Sequence, residues 1–110
     1  MGTKTDFRYG EVHSLLNQVE KGHDKVHFRN IFETDNGGVG LLAFEAGQVL
    51  DTHLAPTELM VNVLEGEIEF TMAGRPNTLR AGDFLLMGAD VPHSVLAKTD
   101  AKVMLVKIKP

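Results

Sequence analysis

The sequence predicts an all-β domain, a sandwich or barrel of short antiparallel strands. Three observations lead there. At least seven short apolar runs recur, separated by glycine, asparagine, aspartate or proline corners at roughly 8–12-residue spacing. Glu67–Met72 (EIEFTM) alternates strictly, with Ile68, Phe70 and Met72 on one face and Glu67, Glu69 and Thr71 on the other. That is the period of a half-buried antiparallel strand. Helical periodicity is scarce, which argues against doubly wound and α-bundle folds.

The elements follow in chain order. Val12, Leu15, Leu16 and Val19 fall at i, i+3, i+4 and i+7, so Val12–Glu20 is expected to be a short amphipathic helix, stopped by Gly22. Its length also allows a single turn or an irregular arm. Strand-like alternation begins at Lys25–Thr34. Asp35-Asn36-Gly37-Gly38 is a hairpin signal leading into Val39–Glu45. Ala46-Gly47 is a corner. Leu59–Leu64 is apolar on both faces, apart from Asn62, and Glu65-Gly66 ends it. Gly74-Arg75-Pro76-Asn77 reads as a turn and Ala81-Gly82-Asp83 as a corner. Strands are then expected at Phe84–Met87, Ser94–Ala97 and Lys102–Lys107.

Composition narrows the function classes. The 110 residues carry 11 Lys+Arg against 15 Asp+Glu, a formal charge of −4, and no cysteine. A single domain spanning 1–110 is expected, with a core over about 24–108 and an N-terminal arm over 1–23. Without cysteine there is no disulfide framework, thiolate zinc site or cysteine nucleophile. The acidic balance argues against nucleic acid as a partner. No apolar run is long enough to span a membrane, and the first residues lack the apolar core of a signal peptide. A cytoplasmic protein without a membrane partner is the expectation. Gly-x-Ser-x-Gly, a phosphate-binding loop and a dinucleotide fingerprint are all absent from the sequence.

Two segments resemble the motifs of the cupin superfamily of small β-barrels. The first family motif is G-x5-H-x-H-x3–4-E-x6-G. Here the matching stretch runs from Gly47 through His53, Ala55 and Glu58 to Gly66. The second family motif, G-D followed by P-H, is matched by Gly82-Asp83 through Pro92-His93. The resemblance covers about Val39 to Ile108. It implies an RmlC-like jelly-roll β-barrel, a double-stranded β-helix of two sheets, usually paired as a homodimer. In the family, three histidines and a glutamate converge on one metal ion. By position, His53 matches the first histidine and His93 the third. Ala55 stands at the second, and Leu59 stands where strict spacing puts the glutamate. Glu58 is one residue off, which turns its side chain to the opposite face unless a bulge re-aims it. Asp90 stands at a glycine position of the second motif, where a positive φ suits Asp better than most residues.

The candidate site is therefore His53 and His93, 40 residues apart in sequence, facing a shared apolar hollow. Val61, Val63, Ile68, Phe70, Phe84 and Met87 are its expected walls. The leading reading is a protein that binds a small organic ligand through the two imidazoles, since apolar walls with few convergent polar groups are the usual form of a ligand site. The resemblance keeps two others open. One is a metal-dependent enzyme, a dioxygenase or isomerase using one divalent ion (Fe, Zn, Mn or Ni) on His53, His93 and a re-aimed Glu58. The other is a non-catalytic accessory or sensory domain. His23 and His27 have zinc spacing only on a helix, and the alternation from Lys25 makes that segment a strand. Apolar residues on both faces of Leu59–Leu64 call for a second cover: a dimer partner, or the N-terminal arm folded back. Asn62 on that outer face needs a hydrogen-bond partner in either case.

Overall fold

The computed structural model describes residues 2–110. Among them, nine antiparallel strands account for most of the chain: β1 (His27–Thr34), β2 (Gly37–Phe44), β3 (Val49–His53), β4 (Glu58–Glu65), β5 (Glu67–Met72), β6 (Arg75–Arg80), β7 (Phe84–Met87), β8 (His93–Ala97) and β9 (Ala101–Ile108). They form a five-stranded sheet in the order β1-β2-β9-β4-β7 and a four-stranded sheet in the order β3-β8-β5-β6. This is the jelly-roll arrangement of two facing sheets. Among the described residues no helix is long and apolar enough to cross a membrane.

Register fixes which side chains meet between the sheets. On the five-stranded sheet, Gly40, Leu105, Val61 and Leu85 form one inward row, and Gly38, Lys107, Leu59 and Met87 the next. On the four-stranded sheet the inward rows are Leu50, Val95, Phe70 and, one step along, His53, His93, Met72. Phe44, Phe70, Ile68, Val61, Val63 and Val103 are fully buried between them. Burying a side chain of this size stabilises the fold by roughly 1.5–3 kcal/mol.

The expected helix over Val12–Glu20 does not form. Only one 3₁₀ turn, Leu15–Asn17, is present, and Val12 is fully exposed. Nine residues are too few to hold a helix without a packed face, and of the four periodic residues only Val19 is buried. Val19 packs with Leu41 and Ala43 on the outer face of the large sheet, against Ile31, Leu64 and Met104. The arm thus covers that corner of the outer face. The Lys102 ammonium donates to the Leu16 carbonyl, the Gln48 amide donates to the Gly22 carbonyl, and Lys21 pairs with Asp100. Asn62 finds its partner in the Met104 carbonyl at 3.2 Å.

Two strands go beyond the sequence expectation. β3 carries no apolar alternation that would announce it. β6 occupies Arg75–Arg80, where Gly74–Asn77 predicts a turn. The turn is instead the pair Ala73-Gly74, both with positive φ (50° and 79°), as a tight primed hairpin requires. Pro76 is tolerated because β6 is an edge strand. Gly66 turns the chain from β4 to β5 at φ 81°, and a Cβ there would stand 2.1 Å from the Asp100 carbonyl oxygen. Asp90 does adopt a positive φ, 61°.

Candidate functional site

His53 and His93 come together at one mouth of the barrel. They lie opposite each other across β3 and β8. The pairing depends on an irregularity. Leu50 pairs with Val95, yet His53 pairs with His93, so β3 carries one more residue than β8 between these pairs. In a regular ladder Thr52 would stand opposite His93. The bulge lets His53 take that inward place, the kind of re-aiming that bulges perform near sites.

The ring centroids are 4.1 Å apart with planes tilted by 57°. Each ring is anchored by its own backbone two residues upstream. Nδ1 of His53 donates to the Asp51 carbonyl at 2.8 Å, and Nδ1 of His93 to the Val91 carbonyl at 2.9 Å. A carbonyl only accepts, so Nδ1 carries a proton in both rings, and Nε2 is a bare acceptor in the neutral form of such a ring. Phe70 stacks on His93 at 5.6 Å and 18°, which fixes the second ring's plane.

His93 is only 4% exposed, yet its Nε2 is not a shielded orphan. Thr57 Oγ1 is the sole side-chain oxygen or nitrogen among the described residues that is both shielded and unpartnered. His93 Nε2 therefore opens onto accessible space. Burial, aided by the neighbouring His53, holds the His93 imidazole below the usual histidine range, against the opposing pull of the Val91 carbonyl. At pH 7 His93 is neutral and accepts a hydrogen bond rather than pairing with an anion.

Of the expected walls, Val61 and Phe70 line the hollow beside the two histidines. Val63, Ile68 and Met87 are buried in the same core but do not line it. Phe84 does not belong to it at all. It pairs with Asn62 on the outer face and is 59% exposed. Phe84 and Met87 are three apart on one strand and cannot face the same way. Leu42, Phe44, Leu50, Leu59 and Leu105 supply much of the lining, which alternation along single strands does not assign. They fill it closely. The hollow measures about 30 Å³, room for about one water-sized group.

Glu58 does not join the histidines. Its register with Ile108 on β9 is regular, and no bulge turns it. It is exposed while Leu59 points inward at 5% exposure. The family's metal set thus keeps two imidazoles, with Ala55 and Leu59 at the other two positions. Among the described residues no three His, Asp or Glu side chains are placed to hold one ion. Catalytic metals are ordinarily held by three protein ligands, so these residues do not fit a resident divalent ion. His23 and His27 each contact a different carboxylate, Glu45 and Asp24 respectively.

The family model for the cupin domain matches residues 40–109. None of the curated proteins matches the chain. Among solved structures, a conserved protein of unknown function from Streptococcus pyogenes superposes with a TM-score of 0.89 at 24% identity, covering 100% of this chain and 96% of that one. An RmlC-like cupin from Desulfovibrio desulfuricans is 32% identical with a TM-score of 0.81, covering 91% of this chain and 97% of its own. A predicted oxalate decarboxylase from Thermotoga maritima is 18% identical with a TM-score of 0.71, covering 77% and 81%. That last likeness is one of fold.

Proposed function

The chain belongs to the cupin family, and on that premise we propose that it binds a small organic molecule at the barrel mouth through His53 and His93. The observation that carries this reading is the pair of anchored rings 4.1 Å apart, each with Nδ1 committed to a carbonyl and Nε2 free. Two adjacent acceptors suit a donor group, such as a hydroxyl or amine, shared between the rings. A hollow of about 30 Å³ takes that group alone. The rest of the ligand then lies at the exposed rim by His53 and Leu54. Neither imidazole bonds to a carboxylate among the described residues, so the pair lacks the partner that would raise its basicity for proton transfer. Binding without turnover is the reading this supports.

The reading extends to a second copy of the chain as the cover of the outer sheet face. The arm covers only the Leu41–Leu64 corner. Phe84, Leu86 and Ile108 are 59%, 65% and 57% exposed, and exposed apolar groups of this size mark contact surfaces when they cluster.

The test is calorimetry and thermal shift of the full chain with small polyols, sugars and amines. A binder is expected to stabilise the native protein and to lose affinity in both His53→Ala and His93→Asn. A binder indifferent to both substitutions would overturn the role of the pair.

A further inference from the structure

A second concavity lies on the same inner face of the large sheet, between the tip of the β1–β2 hairpin and the loop carrying Pro56 and Thr57. Its volume is about 320 Å³, within the range of small-molecule sites. It shares no lining residue with the histidine hollow, so a ligand held there is additional to one at the histidine pair and independent of it.

The groove exists because β2 is bare there. Gly38 and Gly40 place no side chain between β1 and β9. A Cβ on Gly40 would stand 2.6 Å from the Phe28 ring, and one on Gly38 would stand 2.7 Å from Glu33 Cβ. The Phe28 ring can lie over the strand only because Gly40 leaves room. The residue remains 56% exposed. Lys107 flanks the groove from β9 with its ammonium 6.0 Å from the centre of that ring, and Lys109 follows at the rim. Among the described residues neither ammonium lies within 4.0 Å of a carboxylate. Thr57, whose shielded hydroxyl has no partner, is in the opposite wall. A buried donor without an acceptor is uncommon, and this one belongs to a residue that lines the groove.

We propose that this groove binds a small monocarboxylate with a flat ring. The ring lies on Phe28, the carboxylate sits by Lys107 and Lys109, and the Thr57 hydroxyl donates to it. Glu33 and Asp35 also border the groove. Lys4 pairs with Glu33 through the backbone and does not line the groove. The two carboxylates set the limit of one negative charge. A second charge on the ligand would meet Glu33 across the bare glycine.

Amide chemical-shift titration of the full chain tests this, with sodium benzoate, neutral benzamide and dianionic phthalate up to about 20 mM, since a contact of this kind is a millimolar one. Benzoate is expected to shift the Gly38, Gly40 and Lys107 amides and to bind more tightly than either control. Lys107→Gln is expected to weaken benzoate about two- to fivefold, the range of an exposed ion pair. Lys107→Arg should restore it, Thr57→Val should weaken it, and Glu33→Gln should tighten it. His53→Ala should leave it unchanged. No shift at Gly38 and Gly40, or equal binding of benzamide, would overturn the proposal. Phthalate binding as tightly as benzoate would overturn the assigned role of Glu33.

Discussion

His53 faces His93 because β3 is one residue longer than β8 between the Leu50–Val95 pair and the histidine pair. The histidine pair is thus made by a fault in the ladder as much as by the residues themselves. The same two strands, paired regularly, would set Thr52 against His93 and turn His53 to solvent.

The first prediction concerns pH. His93 is held below its ordinary value of 6.5 by burial and by His53. Above about pH 6.5 the folded and unfolded chains both carry it neutral, and its contribution to stability is complete. As pH falls, the unfolded chain takes up the proton first, so that contribution is lost until pH passes the folded value. Urea unfolding from pH 8 to pH 5 should show a shallower loss in His93→Asn than in the native chain. Equal slopes would contradict the shift.

Ala73 sits at φ 50°, a region that costs a residue with a Cβ roughly 1–2 kcal/mol. Ala73→Gly should therefore raise the unfolding free energy by about 1 kcal/mol. A drop in Tm would show that the β5–β6 turn is not under this strain.

Gly66 should be the opposite case. Gly66→Ala combines a φ of 81° with a Cβ 2.1 Å from backbone oxygen. A loss of at least about 2 kcal/mol is expected, read by chemical denaturation. A loss below about 0.5 kcal/mol would mean that the β4–β5 turn yields easily.

The outer face supplies a prediction about assembly. If a second copy covers Phe84 and Leu86, the native chain sediments as a dimer and Leu86→Lys as a monomer with unchanged far-ultraviolet circular dichroism. A native monomer at high micromolar concentration would show that no second copy covers this face.

Much of the fold is legible in the sequence because glycine corners and alternation speak locally. Asp35–Gly38, Glu65-Gly66 and the Glu67–Met72 alternation each fall where the strands begin or end. Both histidines are legible too, because their motif strings lie at the right separation. The features that escape are non-local. Whether Phe84 faces in or out depends on its pairing with Asn62, and whether Glu58 joins the site depends on its regular register with Ile108. The tight filling of the hollow by Leu42, Leu59 and Leu105 is a matter of packed volume across two sheets, which alternation along one strand does not report. The bulge on β3 has no residue signature in Asp51-Thr52. The Val12–Glu20 periodicity misleads because only Val19 has a surface to pack on.

Ligand binding by the pair requires both imidazoles to offer Nε2 as an acceptor, and long-range ¹H–¹⁵N correlation of the histidine rings at about pH 7.5 measures this directly. For His53 and His93 the spectrum should show the proton on Nδ1, the nitrogen bonded to the Asp51 and Val91 carbonyls. A proton on Nε2 in either ring would contradict it.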